Sequence, residues 1–159
     1  MIDGQGICRE RDGLATYSDA PPPAVTRVML SDTDLRARRY LIALFEDAGL
    51  DVRSDPAGNI FARWIGSHPD MPAVAAGSHT DAIPHSGEFD GTVGVLGGLG
   101  AIRALRRDGF RPRRSIELVM FTSEEPTRYG VGCLGSRLMA GVLEPMDAAA
   151  LEDDRGTTF

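Results

Sequence analysis

A chain of 159 residues is of single-domain size and long enough to bury a core of its own. Its hydrophobic content of 42% and charged content of 25% are ordinary for a globular protein, and no apolar run approaches the roughly 18 residues that span a bilayer. A formal net charge of -6 argues against nucleic acid or an anionic membrane as partner.

The opening MIDGQGICRERDG lacks the charged-then-apolar order of a secretory signal. Cys8 and Cys133 match no zinc or redox spacing, so both read as reduced, incidental thiols of a cytoplasmic protein. Residues 1–30 are polar and interrupted by proline in DAPPPAVTR, an irregular lead-in with room for one short helix. From LSDTDLRARRYLIALFEDAGL onward the signals sharpen. Ser31 or Asp32 caps a helix, Leu35, Leu41, Leu44 and Phe45 give it an apolar stripe, and Gly49 ends it. LDVRSDPAGNIFARWIG reads as two short strands about the turn Asp55–Gly58, and PAVAAGSH as a third strand. A glycine-rich helix is predicted from Thr92 to about Arg107, followed by a β-branched strand in RRSIELVMFTSEE and a helix in VGCLGSRLMAGVL. This order predicts an α/β fold with some parallel pairing. Near-continuous apolar content places the AVAAGSH and SIELVMF strands at the centre of the sheet.

Two of these strands run directly into ligand-type side chains, and the carboxyl ends of strands are where α/β sheets build their sites. One cluster offers His79, Asp81 and Asp90, and the other offers Glu124 and Glu125. Imidazole with carboxylates and no nearby thiol suits zinc, manganese or a similar divalent ion. In an extended His79-Thr80-Asp81 the outer side chains share a face, so Asp81 reaches the His79 ring and fixes its tautomer. Asp90 stands at a helix start, where a carboxylate is favoured. Glu124 and Glu125 point in different directions, so one binds a metal while the other faces its water. Each part also has a plainer reading. A lone His-X-Asp is commonplace, Glu124-Glu125-Pro126 caps a helix equally well, and Arg128 and Arg137 fit a solvated face. His68 and His85 read as loop residues outside the site. The glycines of GTVGVLGGLG are not a dinucleotide fingerprint, because Arg103 stands where its third glycine belongs; close helix–sheet packing accounts for them.

Taken together, GSHTDAIPHSGEFDGTVGVLGGLGAIRAL and RRSIELVMFTSEEPTRYGVGCLGSRLMAG, with VTRVMLSDTDLRARRYLIALFEDAGLDVRSDPAGNIFAR upstream, closely resemble one family. It is the metal-dependent amidohydrolases that include N-carbamoyl-L-amino-acid hydrolase, allantoate amidohydrolase and ureidoglycolate amidohydrolase. SEEPTRYG followed by CLGSRL is most similar to the ureidoglycolate branch. The resemblance covers residues 25–159. It implies a mixed, largely parallel twisted sheet flanked by helices, the zinc-peptidase-like catalytic domain. Residues 31–159 would be the N-terminal part of that domain, with the lid and dimerisation domain absent. It also implies two divalent ions, zinc or manganese: His79 as ligand of one, Asp90 bridging both, and Glu125 as ligand of the second. Glu124 becomes the general base and Asp81 keeps its orienting role. The substrate would be a small ureido or carbamoyl acid, and a homodimer is expected only for a full-length relative. Where the family has a glutamate in the glycine-rich helix this chain has Gly100, expected to weaken the helix by roughly 1 kcal/mol. The alternative reading is a truncated, non-catalytic remnant that keeps the fold and a weak metal site.

Overall fold

The computed structural model describes residues 1–159. The chain runs α1 (Gly4–Ala15), β1 (Val25–Arg27), α2 (Asp32–Asp47), β2 (Asp51–Ser54), β3 (Ile60–Trp64), β4 (Val74–His79), β5 (Ala82–Ser86), α3 (Thr92–Arg107), β6 (Ile116–Phe121), α4 (Leu134–Met139) and α5 (Pro145–Ala149). Four strands form a sheet in the order β2-β3-β6-β4, and β1 pairs with β5 in a separate two-stranded ribbon. No helix is long and apolar enough to cross a membrane.

The connections dictate the pairing. A tight turn at Asp55–Gly58, with Gly58 at φ 82, can only fold β3 back antiparallel to β2, placing Asp51 opposite Arg63 and Ser54 opposite Ile60. β3 is likewise antiparallel to β6. The connection from β4 to β6 passes through the long helix α3, a crossover of the kind parallel pairing needs, and this is the one parallel pair, with Val74 opposite Ile116 and His79 opposite Phe121. The sheet is therefore mixed, as expected, but its parallel character is confined to one of three ladders.

Helices cover one face. Leu14 of α1, Leu41 and Phe45 of α2, and Leu96 and Leu99 of α3 meet Ile60, Ala62 and Trp64 of β3 and Leu118 and Met120 of β6. On the other face Phe61 and Val119 are still buried, and the Arg53 guanidinium lies 3.9 Å from the centre of the Phe61 ring. The central position expected for AVAAGSH does not hold. β6 is central, whereas β4 is an edge strand whose residues Val74–Gly77 are exposed, because nothing in this chain pairs with its outer side.

The first 30 residues are more ordered than their composition suggests. α1 is a 12-residue helix, capped by Asp3, whose side chain accepts the Gly6 N–H. It packs on α3 at Gly100, where an added Cβ would lie 2.6 Å from Ile7 Cδ1. The glycine thus does more than weaken its helix: a larger side chain there would have to displace the tip of Ile7. β1, β5 and α5, of 3, 5 and 5 residues, were not expected from the sequence pattern.

Candidate metal centre

β4 and β6 end side by side, and the chemistry gathers where they end. β4 delivers His79, buried at 7% exposure, and β6 leads through Thr122 and Ser123 into Glu124 and Glu125. Ser123 is held at φ 50, a left-handed conformation that turns the chain sharply out of the strand. Such strain persists where surrounding structure over-determines it, as at functional sites. Asp90 arrives from the other side, on the loop before α3. That loop is held by α1: Arg11 donates to Glu88 at 2.8 Å and lies 4.7 Å from the centre of the Phe89 ring.

The structure brings His79, Asp81, Asp90 and Glu124 together, and gives the Glu125 side chain no hydrogen bond or ion pair with them. His79 Nε2 lies 3.5 Å from Glu124 Oε2 and 3.9 Å from Asp90 Oδ1. The opposite ring nitrogen, Nδ1, donates to the carbonyl oxygen of Asp81 at 3.0 Å, which leaves Nε2 as the nitrogen facing the crevice. Asp81 lies beside the His79 ring, but its carbonyl, not the carboxylate its spacing suggested, accepts the ring N–H. Its carboxylate is 3.6 Å from Nδ1 and accepts the backbone N–H groups of Glu124 at 3.3 Å and Glu125 at 3.0 Å. β4 stops at His79, so Asp81 is not on its strand face; it turns instead to tie the end of β6 to the end of β4.

Burial alone would lower the His79 pKa. The Asp81 hydrogen bond and charge, joined by the charge of Glu124, outweigh it and raise the imidazole to about 9. At Glu125 burial acts first and the negative charge of Glu124 second. Together they push its carboxyl above the ordinary value despite the opposing charge of His79.

The donor set fits a divalent cation. One imidazole nitrogen and the carboxylates of Asp90 and Glu124 face one another, and the charged neighbour these carboxylates share is His79, with no arginine paired to either. Like charges held together this way call for a compensating cation. The arrangement stops short of a closed polyhedron, since no three His, Cys, Asp or Glu side chains stand close enough to enclose an ion.

Other residues fall outside the cluster. His68 and His85 are exposed. Arg128 is spent on structure, donating to Asp153 at 3.0 Å and to the carbonyls of Met29 and Leu30 at 3.3 Å. Cys133, read from sequence as incidental, has its thiol 3.5 Å from Glu124 Oε1 and its N–H donating to the Glu124 carbonyl at 2.7 Å. Asn59 was also missed. Fully buried, it accepts the Thr122 N–H at 2.9 Å and donates to the Gly135 carbonyl at 3.0 Å, fixing the segment that leads into Ser123. The Gly58-Asn59 turn was its one sequence signal.

A mixed sheet whose adjacent parallel strands deliver histidine and carboxylates to a common end defines an α/β domain of the peptidase-like hydrolases. Residues 59–152 match the model of peptidase family M28, and the chain belongs to that family. It is similar to the ureidoglycolate hydrolase of Oryza sativa subsp. japonica, 59% identical over 140 residues, 88% of this chain and 29% of the relative. The N-carbamoyl-L-amino acid amidohydrolase of Geobacillus stearothermophilus is 36% identical over 159 residues, 100% of this chain and 39% of its own length. Among solved structures, AtUAH in complex with glyoxylate has a TM-score of 0.95 and 51% identity, covering 100% of this chain and 38% of that one. The chain thus spans about a third of the length of these relatives. They are the amidohydrolases that the motifs around His79 and Glu124 led one to expect.

Proposed function

We propose that this chain carries part of a two-ion hydrolytic site that cleaves the ureido or carbamoyl C–N bond of a small acid. Ureidoglycolate is the first substrate, with allantoate and N-carbamoyl-L-amino acids as alternatives. The observation that carries the reading is the meeting of His79 Nε2 with Glu124 and Asp90, within 3.9 Å, at the paired ends of β4 and β6. Identity of 59% to a ureidoglycolate hydrolase ranks the substrates, where the broader family model alone would leave peptides equally eligible.

His79 would hold one ion through Nε2, Asp90 would lie between two, and Glu125 would hold the second. The ions, zinc or manganese, would supply a water acidified well below its bulk pKa and polarise the substrate carbonyl. Glu124 would take that water's proton. Its Oε2 faces the crevice beside His79 while Oε1 rests against the Cys133 thiol. Passed to the nitrogen as the C–N bond breaks, that proton would let it leave as ammonia, while the water oxygen stays on the carbonyl carbon as a carbamate on the other nitrogen. Asp81 keeps His79 in the Nδ1–H tautomer and holds both glutamate backbones in register.

Three side chains shared between two ions fall below the roughly three protein ligands usual for one catalytic zinc. The 159-residue chain should therefore bind zinc or manganese weakly and turn over no substrate by itself. Calorimetric titration tests the site: His79→Ala should abolish the binding, and equal binding by both proteins would refute it. Ammonia release by the native protein from a panel of ureido acids, carbamoyl acids and dipeptides tests the substrate class, and cleavage of dipeptides alone would refute it.

A further inference from the structure

Arg27 is the largest fully buried side chain of the molecule, at 2% exposure, in a strand of 3 residues. A guanidinium taken out of water is costly unless its donors are satisfied. Here all the bonds go to backbone carbonyls: Nε to Tyr17 at 3.0 Å, Nη2 to Leu14 at 2.8 Å and Nη1 to Thr80 at 2.6 Å. Burial lowers the Arg27 pKa, and the charges of Asp34 and then Asp81 oppose the loss of its proton.

The third carbonyl is the informative one. Leu14 and Tyr17 belong to the end of α1 and the turn after it, but Thr80 is the joint between His79 and Asp81, outside both β4 and β5. The Thr80 carbonyl and the Asp81 N–H lie in one rigid peptide plane. Fixing that carbonyl fixes the Asp81 N–Cα bond, the axis from whose end the Asp81 side chain leaves the backbone. On that direction depend the bonds of Asp81 to the Glu124 and Glu125 N–H groups and the bond from His79 Nδ1 to the Asp81 carbonyl. Thr80 is steadied from the other side by its hydroxyl, 3.3 Å from the Met120 sulfur, and β1 runs alongside with Arg27 opposite Ala82.

We propose that Arg27 is a positioning residue of the metal centre: anchored on the carbonyls of Leu14 and Tyr17, its guanidinium locks the Thr80 peptide so that Asp81 holds His79, Glu124 and Glu125 in ligating geometry. The proposal rests on the metal reading above and gives the first 30 residues a part in it. An apolar side chain could fill the space; only the planar, multidentate guanidinium can hold three carbonyls at once.

The test compares Arg27→Lys and Arg27→Met with Leu14→Ala, which loosens the same contact with α1 but leaves the guanidinium in place. Zinc and manganese affinity is measured by calorimetry well below each melting temperature, and the His79 ring nitrogens are observed by NMR after chelation. Both Arg27 variants should bind the ions at least about tenfold more weakly, the scale for residues that orient a ligand. Their His79 Nδ1–H signal should shift or broaden. Leu14→Ala should melt at lower temperature yet keep the wild-type affinity and His79 signal. Unchanged affinity and His79 signal in the Arg27 variants would overturn the proposal, as would an equal loss in Leu14→Ala. If wild type itself binds neither ion, the metal reading falls, and the His79 signal alone then decides whether Arg27 positions the joint. Should both Arg27 variants fail to fold, exchange of the Arg27 Nε–H in the unaltered chain replaces them. Zinc should slow it several-fold, and unchanged exchange would overturn the proposal.

Discussion

Asp81→Asn removes a charge and one acceptor from the clamp between β4 and β6 while keeping the shape of the side chain. Asp81 is 2% exposed, so solvent cannot replace what is lost. Its two carboxylate oxygens accept the Glu124 N–H at 3.3 Å and the Glu125 N–H at 3.0 Å. Hydrogen bonds to a charged acceptor contribute about 1.5–3 kcal/mol each, and neutral ones about 1 kcal/mol. Asparagine keeps one oxygen, so one bond falls to the neutral value and the other N–H meets an amide NH2. The two losses together come to about 2–5 kcal/mol. Lost attraction to His79 and Arg27 and relieved repulsion from the more exposed site carboxylates act in opposite directions, which leaves the two amide bonds to set the scale. Urea unfolding of the chelated protein at pH 7 measures the effect, and zinc affinity should fall with it. A change within about 0.5 kcal/mol, typical of an unremarkable surface site, would show that the clamp carries no load.

Because His79 keeps its proton up to about pH 9 and an ion needs the neutral ring, zinc affinity should rise about tenfold per pH unit below that value and level off above it; a flat calorimetric profile from pH 6.5 to 9 would contradict the assignment. After chelation the sign reverses: the protonated ring stabilises the fold fully below its unfolded value near 6.5, and this contribution fades as pH rises through about 9. Gly77→Ala should destabilise by about 3 kcal/mol, the upper end for overpacking, because its Cβ would strike the Val119 carbonyl across the β4–β6 ladder; an unchanged melting temperature would show that the strands part easily. Gly100→Glu should unseat α1 and open the Arg9 and Arg11 bonds to trypsin, and undiminished protection would mean that Ile7 simply moves aside.

Sequence alone was enough for the elements with long, regular patterns. Ser31 caps α2 and accepts the Asp34 N–H, Gly49 follows its end at φ 70, and the apolar run of β6 became the central strand. That His79 and Glu124 would meet was also legible, since each follows a strand that runs into ligand-type side chains, a local feature. What could not be read was which distant segments would satisfy the polar groups. Arg27 finds Thr80, 53 positions away; Arg38 bonds Thr122, 84 away, beside its buried partner Asp34; and Asn59 bonds Gly135, 76 away. In one dimension each looks like a surface residue, and only the packed chain supplies the acceptors that make its burial tolerable. The same holds for the edge position of β4. An apolar strand signals that its faces can be buried, but whether its outer side has a partner depends on how many strands the sheet contains, and that is settled only when the whole sheet assembles.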